Sequence, residues 1–267
     1  MTNERQLQRR LLLLHSSFAI YPMSIVDNLS LVRERIARAA ERAGRRADEV
    51  TLVGVTKYVG AREAAELAAA GCLDLGESRP QELWQKYGEV ASGSAEHNQT
   101  ATGDLPAIRW HLIGHLQRNK IRRILPLVHM VHSVDSDRLL QAINEEWGRA
   151  EASQKLPLKV LLEVNTSGEP AKHGLLPEGV EPLLAAADRL RHVEICGLMT
   201  MAALEGGPPV AARNFAALRN LRDQLRSVVP EKVCLDELSM GMSGDFEVAI
   251  AEGATIVRVG SALWENI

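Results

Sequence analysis

The sequence is short of the features that mark a specialised architecture. It has only three cysteines in 267 residues, Cys72, Cys196 and Cys234, far apart and odd in number. That excludes a disulfide framework, and no spacing among them suits zinc. Each lies beside an apolar run and reads as a small buried residue in a reducing compartment. Charge of one sign is also scarce. A formal net charge of −3 and a pI near 6.3 give no global case for nucleic acid or an anionic membrane. The basic cluster "RNKIRR" (Arg118 to Arg123) carries Ile121 and Ile124 at helical spacing, so it reads as the solvated face of a helix. No run is long and apolar enough to span a bilayer. No GxGxxG follows the first predicted strand, which speaks against a dinucleotide-binding fold.

Two stretches imitate motifs that they do not complete. "HLIGH" sets His111 and His115 four apart, but its glycine makes it a strand leading into a turn. It is not the helical HExxH arrangement, and no metal site is expected. The N-terminus has arginines before Leu11 to Leu14, like a signal peptide. His15, Ser16 and Ser17 break the apolar core at once. Residues 1–22 are therefore expected to be a poorly ordered extension, with the domain over 23–267.

From Met23 onward the pattern is regular. "IVDNLSLVRERIARAAERAG" has helical spacing and a closing Gly44. Eight candidate strands follow: Thr51–Thr56, Leu73–Leu75, Ile108–Ile113, Val128–Val134, Leu158–Val164, Val193–Met199, Cys234–Leu238 and Thr255–Val259. Helical patterns such as "AREAAELAAAG" and "VAARNFAALRNLRDQL" alternate with them. A run of βα units of that number predicts an α/β protein, a single (β/α)8 TIM-type barrel with an extra N-terminal helix. The polar stretch Gly88–Pro106 reads as a surface loop within the domain.

In such a barrel chemistry collects at the C-terminal ends of the strands. The first exit poses a question, because "LVGVTKYV" (Leu52 to Val59) ends an apolar strand on a lysine. An ammonium is not buried without a partner or a lowered pKa. Either Lys57 simply reaches water, or it is an amine nucleophile held at the mouth of a site. The last two exits decide between these. "MGMSGDFEVAIAEG" offers a glycine-rich turn, the Ser243 hydroxyl and a following helix N-terminus, and "GS" adds Gly260 and Ser261. Loops after strands 7 and 8 are where such barrels bind phosphate; the competing reading is that Ser243 or Asp245 only caps the helix. Strand alternation puts Ile256, Arg258 and Gly260 on one face, so Arg258 points inward. A strand-1 lysine, a phosphate nest and an inward arginine describe a pyridoxal 5'-phosphate pocket.

The motifs "VGVTK", "LGESRPQE", "WHLIGHLQRNK", "EVNTSGEPAKHG", "GLMTM" and "LSMGMSGDFEVAIAEGATIVRVGSALW" together resemble the pyridoxal phosphate homeostasis protein family. That family is similar to the barrel domain of alanine racemase, the fold-type III group. The resemblance extends from Ser24 to Leu263. It implies that Lys57 carries the cofactor as a Schiff base, that Ser243, Gly260 and Ser261 bind its phosphate, and that Arg258 contacts the ring nitrogen. No catalytic residue is expected. The chain departs from the pattern at Ser78, where asparagine is usual, at Ser261, where threonine is usual, and in lacking the glycine that commonly follows "SALWENI".

Three functions remain to be compared: a carrier that binds, buffers and delivers the cofactor; a racemase or lyase that uses it; and a Schiff-base aldolase-like barrel acting on a phosphorylated sugar. A guanidinium at the ring nitrogen weakens the electron sink. In the racemases a separate C-terminal domain supplies a second base, and here only Trp264 to Ile267 follow the last strand and its exit turn. The aldolase reading leaves Arg258 unexplained. The expectation is a cytoplasmic carrier, a monomer or weak homodimer. Its partners would be pyridoxal phosphate and, transiently, apo forms of enzymes that use it, with no nucleic acid or membrane partner.

Overall fold

The structure, a computed structural model, describes residues 23–93, 107–149, 156–169, 172–230 and 233–267. The extension expected over residues 1–22 lies outside the described residues, as do 94–106 of the expected surface loop. Gly88–Ala91, placed by the sequence in that loop, instead close a helix, and Val90 continues the inward face of Leu83 and Lys86 against the core.

Eight parallel strands close into a barrel in sequence order: β1 (Thr51–Val55), β2 (Asp74–Glu77), β3 (Arg109–Leu112), β4 (Met130–Val134), β5 (Leu158–Glu163), β6 (Val193–Met199), β7 (Glu237–Ser239) and β8 (Ile256–Val259). The helices are α1 (Ile25–Arg42), α2 (Ala61–Ala69), α3 (Pro80–Ala91), α4 (Ile121–Ile124), α5 (Asp137–Arg149), α6 (Pro177–Ala185), α7 (Gly207–Leu225) and α8 (Phe246–Ala251). β6 has the expected bounds, Val193–Met199, and the other strands are shorter than or shifted from the apolar runs that announced them. Thr56 and Cys234, for example, fall outside β1 and β7. An apolar run marks burial, and burial continues past the last ladder hydrogen bond.

The helix expected as an extra has a structural place. A capping box starts α1: the Asp27 N–H donates to Ser24 Oγ (3.1 Å) and the Ser24 N–H to the Asp27 carboxylate (3.1 Å). Among the described residues β8 is followed by a 3-10 turn, Ser261–Leu263, and α1 packs against it, α2 and α8. Asn28 Nδ2 donates to the carbonyls of Leu263 (3.2 Å) and Glu265 (2.9 Å). Thus α1 covers the barrel where the eighth helix of the repeat would lie.

The outward faces of the strands and the inner faces of the helices make one large apolar layer. Leu67, Leu83, Ile124, Ile143, Phe215, Leu218 and Phe246 are fully buried in it. A separate cluster, Val53, Met130, Leu161, Cys196, Met199 and Ile256, fills part of the barrel interior. Cys72 and Cys196 are buried as expected, and burial pushes their thiols up to about 11 and about 12. Cys234 is only half-buried, 2.6 Å from Asp236, since it precedes β7 instead of starting it. "RNKIRR" is a helical turn with Ile121 and Ile124 buried and the Arg123 guanidinium 3.6 Å over the Trp84 ring. Among the described residues no helix is long and apolar enough to cross a membrane.

Candidate functional site

Lys57 lies two residues beyond the end of β1, half-buried, its ammonium 4.8 Å from the Tyr58 ring centroid. The backbone beneath it is fastened. The Thr56 N–H donates to the Gly76 carbonyl (2.9 Å). The Thr56 carbonyl accepts from Lys86 Nζ (2.7 Å), and Lys86 pairs with Glu77 at 2.6 Å. Side-chain exposures of 5% and 0% make this a buried ion pair. The second Glu77 oxygen accepts the N–H groups of Ser78 (2.7 Å) and Arg79 (3.2 Å). An unpaired charge here would be strongly unfavourable, so the pair dictates how β1 ends. Sequence reasoning missed both residues. The available signal was Lys86 three residues after Leu83, on the buried face of α3.

The loop after β7 turns through Gly241, at φ +93°, where a Cβ would lie 2.6 Å from Ala249 and 2.8 Å from the Phe246 backbone. It delivers Ser243, whose Oγ accepts from the N–H groups of Gly260 (3.1 Å) and Ala262 (3.4 Å). Neither Ser243 nor Asp245 caps α8. Asp245 occupies the N-cap position without a capping bond, and its carboxylate accepts the Met242 N–H at 2.5 Å. The backbone N–H groups that converge on Ser243 belong to the turn after β8, not to the N-terminus of α8. Ser261 sits between them in sequence, exposed at the rim. Val259 pairs with Gly54, and Trp264 Nε1 donates to the Val55 carbonyl (2.9 Å). The exit carrying Lys57 therefore adjoins the exit carrying the nest.

Arg258 points into the barrel, 3% exposed, as strand alternation requires. It donates to Ser239 Oγ (2.6 Å) and to the Thr200 carbonyl (3.0 Å). Burial lowers its pKa to about 10, with Glu163 and Asp245 pulling the other way. Burial also raises the Glu163 carboxyl, aided by Asp135 and opposed by Arg258 and His173.

From Arg258 a hydrogen-bonded chain crosses the interior. Ser239 Oγ meets His132 Nδ1 (2.9 Å), His132 Nε2 meets His111 Nδ1 (2.9 Å), and His111 Nε2 meets Asp74 Oδ1 (3.0 Å). Asp74 also accepts from Arg109 Nε (2.7 Å). Burial alone would raise the Asp74 pKa, but the hydrogen bonds from His111 and Arg109 prevail and hold it at about 2. An ionised carboxylate only accepts, so His111 Nε2 carries a proton. Full burial keeps the His132 pKa well below its ordinary value, so that ring is neutral. Were His111 doubly protonated, His132 would turn its donor to Ser239 and leave that buried hydroxyl proton without an acceptor. The arrangement that satisfies every donor and acceptor has both rings as Nε2–H tautomers, with Ser239 donating to His132 while accepting from Arg258.

A closed parallel barrel with a lysine and two convergent backbone N–H groups on adjacent strand exits, and a guanidinium held inside, belongs to the class of barrels that gather polar groups at one mouth for a small molecule. Residues 28–265 match the family model for the alanine racemase N-terminal domain. A protein of Aquifex aeolicus called pyridoxal phosphate homeostasis protein is 38% identical, the alignment covering 91% of this chain and 98% of that one. Its namesake in Pseudomonas aeruginosa is 39% identical over 90% and 95%. PipY of Synechococcus elongatus PCC7942, solved with PLP bound, superposes with a TM-score of 0.75 at 32% identity, covering 90% of this chain and 99% of that one. Alanine racemase of Clostridium difficile 630 shares the fold alone, at 17% identity and a TM-score of 0.63, over 89% of this chain and 56% of that one. The chain belongs to the pyridoxal phosphate homeostasis protein family.

Proposed function

We propose that this protein binds pyridoxal 5'-phosphate at the β1/β8 side of the barrel mouth and serves its homeostasis inside the cell, binding, buffering and delivering the cofactor without robust turnover. The observation that carries the reading is the convergence of the Gly260 and Ala262 N–H groups on a single oxygen, next to the exit that bears Lys57. Ser243 Oγ occupies the position that suits a phosphate oxygen, so the residues present fit the group. Ser243, Gly260 and Ser261 would hold the phosphate, Lys57 the aldehyde carbon, and Arg258 would face the ring nitrogen. The cofactor when bound supplies an electrophilic aldehyde and an electron-withdrawing ring.

The protein's own residues temper that chemistry. A guanidinium buried beside the ring disfavours a proton on its nitrogen, because like charges repel in a poorly solvated pocket. The ring then withdraws electrons weakly, which suits storage better than racemisation or elimination. The names of the relatives and the PLP-bound neighbour support the same reading. The finer expectations are a cytoplasmic location, a monomer or weak homodimer, and transient contact with apo-enzymes that receive the cofactor.

Borohydride reduction of the cofactor-loaded protein followed by peptide mapping tests this. The pyridoxyl group should be found on Lys57, and Lys57→Ala should abolish labelling. Labelling of a different lysine, or rapid turnover of an amino acid by the unmodified protein, would overturn the carrier reading.

A further inference from the structure

Across the mouth from the proposed cofactor residues, the exits of β3, β4 and β5 bring three further side chains together. We propose that His115, Asp135 and His173 form a binding site for a divalent transition cation of the zinc class on the rim of the barrel. One ligand atom of each lies within 4.8 Å of those of the other two. His115 Nδ1 is 3.4 Å from Asp135 Oδ2, and the two imidazoles stack at 5.2 Å between centroids with 23° between their planes.

A simple His–Asp ion pair explains only part of this arrangement. It accounts for His115 beside Asp135 but not for the second ring. Two stacked imidazolium ions would repel, whereas two neutral rings and one carboxylate form a donor set that zinc prefers. Bonds to zinc of about 2.0–2.2 Å bring ligand atoms within roughly 4 Å of each other. Small rotamer changes close the remaining gap.

The scaffold holds the three exits in register. Ser133 Oγ donates to the Gly114 carbonyl at 2.6 Å, tying the chain before Asp135 to the chain before His115. His173 is exposed, but its flanks are fixed. The Leu175 N–H donates to the Glu163 carbonyl (2.7 Å), the Asn165 N–H to the Leu175 carbonyl (2.9 Å), and Lys172 Nζ to the Ala202 carbonyl (2.7 Å). Gly174 passes so close, at φ +120°, that a Cβ there would lie 2.9 Å from the Asn165 nitrogen. Preorganised backbone of this kind is what a metal site requires of its host.

The surroundings select the class of ion. Arg118 and Arg138 line the recess beside His115 and Asp135. Their charges oppose a hard cation bound by electrostatics alone, such as Mg²⁺. An ion that forms directed bonds to imidazole nitrogen tolerates them better. Three protein ligands leave a fourth position open toward the mouth, for water or for the carboxylate or amine of an entering molecule.

Calorimetric titration of the cofactor-loaded full chain with Zn²⁺ at pH 7.5 tests the assignment. One saturable site per chain is expected, with no response to Mg²⁺. His115→Ala and His173→Ala should each weaken it by roughly 10- to 100-fold, at least the loss seen when outer partners of a metal site are removed. Binding should weaken as the pH falls, because protons compete for the ligands. Both histidines are exposed, so neither variant threatens the fold, and an unchanged Tm verifies that. Absence of saturable Zn²⁺ binding, or equal affinity in the wild type and both variants, would overturn the proposal. Lys57, Ser243, Arg258, Gly260 and Ser261 take no part, so failure here leaves the cofactor reading untouched.

Discussion

The two faces of the same eight strands behave as two different proteins. On β3, Trp110 and Leu112 face outward into the apolar layer, while His111 faces inward. On β8, Val257 and Val259 face outward, and Ile256 and Arg258 face inward. The outer face is an ordinary hydrophobic core, in which any well-packed side chain of the right volume serves. Barrel interiors are usually filled by bulky branched side chains as well. Here part of the interior is a polar chain from Arg258 to Asp74, and it is satisfied throughout: among the described residues no buried side-chain nitrogen or oxygen lacks a partner. The contrast teaches where each property resides. Stability belongs to the outer face, and the inner face spends burial on holding Arg258 and its neighbours in one arrangement.

The sharpest test of that division is to damage the outer face. Phe215 on α7 is fully buried against the barrel. Phe215→Ala should lower stability by about 4 kcal/mol, read from urea unfolding. The fraction that stays folded should bind cofactor with unchanged affinity; a parallel loss of affinity would break the division. Next in size is the ion pair under Lys57. Lys86→Met strands the Glu77 carboxylate in the core and should cost about 3 kcal/mol. Because Lys86 also holds the Thr56 carbonyl, this variant should weaken cofactor capture too, unlike Phe215→Ala. Adding Glu77→Gln should restore part of the stability, since it removes the orphaned charge.

The same contrast explains what the sequence disclosed. The outer face repeats with strand and helix periods, so the barrel and most of its elements were legible from apolar spacing alone. The placement of Lys57, Ser243 and Gly260 at strand exits was legible, because there a polar or small residue interrupts an apolar run. The interior chain was not legible. His111, His132 and Ser239 are separated by 21 and 107 positions, and only closure of the barrel brings them into contact. The sequence sets His115 beside His111, four positions earlier, in a motif that the two do not complete. The structure turns them apart, His111 into the interior and His115 to the rim with Asp135 and His173. Ionic partners such as Glu77 and Lys86 look like surface residues until the fold shows that both are covered.

A third prediction uses acid to probe the lower end of the interior chain. The Asp74 pKa is held at about 2, below its ordinary value of 3.8. A depressed carboxylate contributes stability above its unfolded pKa, and that contribution is lost as pH falls through the folded one. Asp74→Asn should therefore be less stable than the wild type by roughly 1–2 kcal/mol at pH 5, after discounting for partial solvent screening. The gap should close between about pH 4 and pH 2. Urea unfolding of both proteins across that range measures it. A difference that does not vary with pH would mean that the charge of Asp74 contributes nothing.

The smallest effect is one of proton position. If the chain is ordered as its donors and acceptors require, nitrogen-15 NMR at pH 7 should show His111 and His132 as neutral Nε2–H tautomers. The two ends of the chain contribute differently. Asp74 can only accept, which places a proton on His111 Nε2 and leaves His111 Nδ1 open. Arg258 can only donate, which leaves the Ser239 proton for His132 Nδ1 and so sets His132 and the accepting His111 Nδ1. Ser239→Ala removes the second constraint and keeps the first, so the proton on His111 Nε2 should survive it while His132 becomes free to change tautomer. The substitution should cost about 1 kcal/mol, the worth of a net hydrogen bond. It should also loosen Arg258, visible as a shift in the absorption of bound cofactor if that guanidinium faces the ring. A His132 tautomer left unaltered by Ser239→Ala would show that its order is not imposed from the Arg258 end.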